Sequence, residues 1–312
     1  MEAEPRRARS RWSSWVGWFL DPSGTITCGP NSIYGVAGAF LDRRSRLDLS
    51  ALRLAVNGSE PINVDTFEGF LKAGERHGLT PEAAFPVYGL AEATLAVTFP
   101  RPGADLRSDR IRKGDLGSGR AVPLGPRATD GQRLAKVGGP VDGIALDIRA
   151  EGRSLGDRDV GEIYVQGDSV TPGYLGEPDQ IEGRWLPTGD LGYLVEGELV
   201  VCGHSKDAVI IAGKNLYPED IERVTGAIEG IWRGNVAVFG VGVGGHERLV
   251  VVAESEASDR RTLARIISST VFDWAEVSVG DVRIVEPRSI PKTASGKRSR
   301  SGCRDLYMSG QI

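Results

Sequence analysis

The sequence predicts a mixed α/β and α+β protein in three successive parts: an α/β layer, a β-rich subdomain and a small α+β unit at the carboxyl end. Three observations carry that expectation. Helical patterns alternate with short apolar runs over residues 1 to about 100, strand and turn signals dominate 137–203, and after Lys206 the order becomes strand, helix, strand, strand, helix, strand. With 312 residues the chain is long enough for two domains, each able to bury a core.

In the first part, Leu52-Arg53-Leu54-Ala55-Val56 is an apolar run that meets Asn57-Gly58-Ser59. Asparagine and glycine tolerate turn conformations, so a strand should stop there. Residues 100–135 are rich in Gly, Pro, Arg and Asp and lack apolar periodicity, which predicts a long loop or insertion of the kind that is usually functional or mobile. In the second part, strands are expected at 143–148, 161–165 and 198–203. The third part should place strands and helices at 207–212, 218–228, 234–241, 248–255, 259–275 and 281–286. Pro218 suits a first helical position, and Glu219, Asp220 and Glu222 complement the positive end of that helix. The expected division is 1–203, a junction at 204–207, and 208–312, with no internal repeat.

Composition narrows the function classes. Forty-two acidic against 38 basic residues leave a net charge of −4, which argues against nucleic acid held by bulk electrostatics. Cys28, Cys202 and Cys303 lie far apart without C-x-x-C spacing, against a structural zinc or a disulfide framework and for a reducing compartment. Arginines 6, 7, 9 and 11 precede the run Trp12–Leu20, which is short, interrupted by serines and without a small-residue cleavage site. No apolar stretch approaches the roughly 20 residues of a membrane helix. A cytoplasmic protein without an integral membrane segment is expected.

Four segments carry candidate chemistry. Val87-Tyr88-Gly89-Leu90-Ala91-Glu92 sets an aromatic beside a glycine that would let a flat ligand approach, with a carboxylate four residues on that suits Mg²⁺ beside phosphates; taken alone, a tyrosine at a strand end is more often packing. Pro187-Thr188-Gly189-Asp190-Leu191-Gly192-Tyr193 offers a carboxylate to vicinal hydroxyls, or an Asx turn. Gly203-His204-Ser205-Lys206-Asp207, followed by an apolar strand, a glycine turn and the helix at Pro218, reads as a domain junction or a plain linker. Pro291-Lys292-Thr293-Ala294-Ser295-Gly296-Lys297 is a flexible run ending in a lysine that can be delivered to a phosphate, or a solvated basic tail.

Taken in order, from about residue 10 to 305, these motifs resemble those of the adenylate-forming superfamily of acyl-CoA synthetases and ligases. Gly29-Pro30-Asn31, the Asn57-Gly58-Ser59-Glu60-Pro61 turn, Ala91 and Asn215-x-Tyr217-Pro218-x-Asp220-Ile221-Glu222 make the fatty-acyl-AMP ligases the closest likeness, and the 100–135 loop falls where those ligases carry an insertion. The resemblance implies the remaining half of a large AMP-binding domain plus a small carboxyl-terminal domain, using ATP and Mg²⁺. It implies adenine held by Gly58, Ser59, Glu60, Pro61, Tyr88 and Gly89, ribose held by Asp190 with His204 beside it, and Mg²⁺ on Glu92. Lys206 would be the hinge, and Lys297 the catalytic cation at the acyl carboxylate and α-phosphate. The implied partners are a fatty acid and an acyl carrier protein or polyketide synthase carrier domain.

Two departures from that pattern qualify the expectation. Members run to roughly twice this length, and the Ser/Thr/Gly-rich loop ending in Pro-Lys-Gly that covers the β- and γ-phosphates has no equivalent here. Apolar sheet faces and strand edges that meet the missing half should therefore be exposed. The family's junction arginine is His204, with fewer donors for ribose, which predicts weaker ATP binding. Alternatives are a long-chain acyl-CoA ligase, a non-catalytic remnant, and one subunit of a split ligase completed by a separate amino-terminal half.

Overall fold

The structure is a computed structural model that describes residues 16–17, 19–44, 47–112, 115–125, 131–174, 176, 185–211, 214–243, 246–293 and 298–312. It begins with strands β1 (Ile26–Gly29), β2 (Leu54–Asn57) and β3 (Ala84–Pro86), which pair in parallel in that order. Parallel neighbours require crossovers, supplied by helices α1 (Asn31–Asp42) and α2 (Val64–Glu75). Apolar positions on both helices, among them Tyr34, Ala37, Leu41, Phe67 and Phe70, pack together with Val16 and Leu20 over one sheet face. The Tyr34 hydroxyl donates to the Val56 carbonyl at 2.7 Å, so the largest aromatic of this core has no buried orphan. On β1 the outward positions are open: Ile26 is 61 % exposed and Cys28 is exposed.

Residues 100–135, expected to form a loop, contain an antiparallel pair instead: β4 (Ser108–Arg112) with β5 (Gly131–Ala135). The period-2 pattern is present but half of its inward positions are polar. Asp109 and Ile111 face inward on β4, and Gln132 and Leu134 on β5. Asp109 is tolerated because Arg158 grips both its oxygens at 2.9 and 3.1 Å and Tyr193 donates to it at 2.8 Å.

The β-rich part is an antiparallel sheet of β6 (Ile144–Ala150), β7 (Gly161–Gly167), β8 (Leu186–Val195) and β9 (Glu198–His204), with the pair Arg153–Ser154 at its far edge. One face packs Ile148, Ile163, Val165, Leu186 and Leu199 around Tyr88, Val97 and Val137. The other face, through Tyr193, Val195, Val200 and Cys202, is covered by Ile111, Leu116 and Leu134 of the 100–135 segment and by Tyr217. Covering both faces is why these strands read as apolar runs.

Beyond Asp207 come a short hairpin, β10 (Val209–Ile211) with β11 (Lys214–Leu216), and helix α3 (Pro218–Gly226). Strands β12 (Val236–Val243) and β13 (His246–Glu254) then pair antiparallel, and β14 (Asp281–Val285) adds in parallel after helix α4 (Arg260–Ala275). Alternation sends Val236, Val238, Leu249 and Val251 toward α3 and α4, and Ala237, Phe239, Val250 and Val252 toward Cys303 and Tyr307 of helix α5 (Arg300–Met308). Among the described residues no helix is long and apolar enough to cross a membrane.

Candidate functional site

A single asparagine organises the first wall of the site. Asn31 opens α1, where the preceding Pro30 has no side-chain cap to offer. The Asn31 amide N–H instead donates to Glu60 Oε1 at 2.9 Å, placing a carboxylate at the positive helix end. Its side chain donates to the Pro61 carbonyl at 2.9 Å and accepts from the Asn63 N–H at 2.9 Å and from Asn57 Nδ2 at 3.2 Å. These bonds fold residues 57–63 back over the helix start. Ser59 takes a positive φ of 72° to make the turn.

Tyr88 and Asp190 form the centre. The Tyr88 hydroxyl donates to Asp190 Oδ2 at 2.7 Å across 102 sequence positions. Tyr88 is 9 % exposed and packs into the sheet core, so burial raises its phenol far above the ordinary range. Tyr88 thus packs in the sheet core and bonds Asp190 at the same time. Burial also pushes the Asp190 carboxyl up, offset in part by the Tyr88 hydroxyl and by the charge of nearby His204.

The segment around Asp190 is part of β8 rather than an Asx turn, and Asp190 stands opposite His204 on β9. Gly189 has a φ of 74°, and a Cβ there would come within 3.0 Å of the His204 ring, so glycine lets the imidazole lie over the strand. The Ser205 N–H donates to the Gly189 carbonyl at 2.8 Å, and the Lys206 N–H to His204 Nδ1 at 3.2 Å. The junction is thus an ordered turn locked onto β8.

Gly89 is needed for a reason other than the one expected. A Cβ there would lie 1.7 Å from the Leu95 carbonyl oxygen, so the close approach is made by the chain's own backbone rather than by a flat ligand.

These elements border a cleft of about 900 Å³. Ser59, Glu60, Pro61, Tyr88, Gly89, Asp190 and His204 all line it; Gly58, Glu92 and Lys206 are not in its lining. Glu92 sits on the short turn Ala91–Ala93 just past Gly89, where the Tyr174 hydroxyl donates to its carboxylate. Lys297 lies outside the described residues.

The opposite wall contains groups that the motifs did not single out: Arg133, Arg223, Asn235, Arg298 and Arg300, with Lys292 from the carboxyl-terminal run. The three acidic residues of α3, expected only to complement the helix dipole, are drawn into paired contacts, Asp220 and Glu222 buried and Glu219 partly so. Glu219 and Glu222 pair with Arg300, and Asp220 accepts from Gln132. Desolvation pushes the Glu219 carboxyl up to about 7 despite Arg300. No local spacing signals such a network, because its members lie on separate segments. Chemically, the cleft sets a hydrogen-bonded carboxylate, an imidazole and a folded turn against arginines and a lysine, which suits a ligand with hydroxyls at one end and anionic groups at the other.

A sequence-family model described as AMP-binding enzyme matches residues 13–175. Rv1013 of Mycobacterium tuberculosis is 39 % identical over 304 residues, 92 % of this chain and 55 % of that protein. The medium-chain-fatty-acid–[acyl-carrier-protein] ligase JamA of Moorena producens is 34 % identical over 312 residues, 92 % of this chain and 53 % of JamA. The long-chain-fatty-acid–AMP ligase FadD26 of M. tuberculosis is 33 % identical over 340 residues, 99 % of this chain and 57 % of FadD26. A solved structure from a study of fatty acyl-adenylate ligases of E. coli and L. pneumophila superposes with a TM-score of 0.84 at 28 % identity, covering 96 % of this chain and 56 % of that one. The chain spans about half the length of the curated relatives it matches.

Proposed function

Because this chain belongs to the AMP-binding enzyme family, we propose that its cleft holds the adenine nucleotide of a ligase that activates a fatty acid with ATP as the acyl-adenylate and passes the acyl group to a carrier protein. The observation that carries this reading is the Tyr88–Asp190 hydrogen bond, which brings two motifs from distant segments into one cleft wall beside the Ser59–Pro61 turn. In this assignment the Gly58–Pro61 backbone with Tyr88 and Gly89 borders adenine, and Asp190 accepts from the ribose hydroxyls with His204 beside it.

Mg²⁺ prefers one or two carboxylates together with phosphate and water oxygens. A single half-buried carboxylate, Glu92, oriented by the Tyr174 hydroxyl and just beyond Gly89, fits that donor set. Bound there, the ion would supply charge neutralisation to the nucleotide phosphates. Lys206 is assigned as the hinge between 1–203 and 208–312, and Lys297 as the cation that meets charge developing at the α-phosphate.

Hydroxamate trapping of acyl-adenylate tests the reading, with medium- and long-chain fatty acids, ATP and Mg²⁺, using the chain alone and with a supplied polypeptide equivalent to the relatives' amino-terminal half. Product in either arm that falls about a hundredfold in Lys297→Ala supports the assignment. Product unaffected by that substitution contradicts the role of Lys297, and transfer to CoA in place of a carrier protein contradicts the acceptor.

A further inference from the structure

Arg300 stands where three carboxylates from different places converge. Its Nη1 donates to Asp207 Oδ2 and to Glu219 Oε1, both at 2.6 Å, while Nε and Nη2 take the two oxygens of Glu222 at 2.7 and 2.9 Å. Glu222 is 3 % exposed and also accepts from the Val238 N–H at 3.1 Å, so the guanidinium is tied through Glu222 to the edge strand β12 of the small sheet as well. A planar fork can serve carboxylates on several sides at once, which a lysine ammonium on the same stem cannot match.

Arg300 directly follows a stem in which residues 291–292 pair with 298–299. The Ser299 N–H donates to the Pro291 carbonyl at 2.8 Å, and Lys292 and Arg298 form an antiparallel bridge. Below the stem, the Ile290 N–H donates to Glu254 Oε1 at 2.8 Å, and Arg298 Nη1 reaches the Gly234 carbonyl at 3.1 Å. Lys292 and Arg298 face the cleft. On the other side, Asp207 belongs to the junction turn: its N–H donates to the His204 carbonyl at 3.1 Å, and Ser205 binds the Gly189 carbonyl next to Asp190.

We propose that Arg300 is a positioning residue which, through Asp207, registers the stem formed by residues 291–292 and 298–299, with its two cleft-facing cations, to the turn that carries His204 and abuts Asp190. The two ends of the cleft then move as one piece, so a ligand held at Asp190 also orders Lys292 and Arg298. The ligand arm of the test rests on the nucleotide reading above; the ligand-free arm does not.

Hydrogen exchange of the whole chain, with and without AMP, reads this directly in wild type, Arg300→Lys and Asp207→Asn. In wild type, AMP slows exchange at both the 203–207 turn and the 291–293 and 298–300 segments. Arg300→Lys keeps the protection at the turn and loses it at the stem, whose ligand-free exchange rises about tenfold, while the 236–254 strands stay as protected as before. A stem that responds to AMP in Arg300→Lys as it does in wild type overturns the proposal. If AMP protects nothing in wild type, the nucleotide reading falls, and the ligand-free arm decides. Faster exchange at the stem then upholds the coupling, and a change confined to α5 refutes it. If Arg300→Lys loosens the 236–254 strands, Asp207→Asn decides instead: loss of turn-to-stem coupling supports the proposal, and its retention overturns it.

Discussion

At the scale of single residues, the cleft is governed by the cost of burying carboxylates. Asp190 is partly buried, yet it keeps a donor in Tyr88 and stands opposite His204 on the neighbouring strand. Histidine offers less than arginine to a hydroxyl-bearing ligand, having a single donor when neutral against five. His204→Arg should therefore tighten nucleotide binding severalfold, measured by titration calorimetry; an unchanged affinity would remove His204 from the ligand's surroundings. Glu219 gives a pH prediction. It is faced by Arg300 from α5, by Asp207 through that same guanidinium, by Glu222 on its own helix, and by Tyr217 and Cys202. Burial raises its folded value from the ordinary carboxylate range to about 7. The group's contribution to stability is thus complete below the unfolded value and is lost as pH rises through about 7. Glu219→Gln should melt like wild type near pH 5 and above it near pH 8. The opposite order at high pH would mean that the charge is satisfied by Arg300 and not penalised by burial.

At the scale of elements, apolar periodicity made most of the strands and helices legible. The parallel strand ending at Asn57, the strands at 144–150, 161–167 and 198–204, and the helices starting at Pro218 and Arg260 all follow that pattern. The β4–β5 pair was hidden because inward positions on both strands are polar, and their partners, Arg158 and Tyr193 for Asp109 and Asp220 for Gln132, lie far along the chain. Helix α5 escaped for a related reason: Cys303 and Tyr307 pack inward, but the segment is otherwise polar. Removing one member of the Asp109 trio leaves a guanidinium and a hydroxyl without their acceptor. Asp109→Ala should cost about 3 kcal/mol, seen as a lower urea midpoint, as expected when one side of a partly buried ion pair is deleted. A loss below about 1 kcal/mol would show that the pair behaves as a surface bridge.

At the scale of the whole molecule, the motifs named in sequence converge, but the charged wall facing them does not appear in any one of them. Tyr88, Asp190 and His204 come together because β8 pairs with β9 and packs over the strand end at Pro86. Arg133 comes from the 100–135 pair, Arg223 and Arg300 from helices of the small unit and Arg298 from the stem paired with Lys292, and only tertiary packing assembles them. The open outer positions of β1 add a second feature of this scale, an apolar strand face at Ile26 that α1 and α2 leave uncovered. The proposed function makes this the cleft of an adenine nucleotide, with Asp190 as the acceptor for its ribose hydroxyls. Calorimetric titration of AMP into wild type and into Asp190→Asn, with far-ultraviolet circular dichroism to confirm that both are folded, decides the matter. The expected result is one-site binding in wild type that weakens at least about tenfold in the variant, the loss of a charge-assisted hydrogen bond. Equal affinities in the two folded proteins, or no binding to wild type at millimolar AMP, would contradict it.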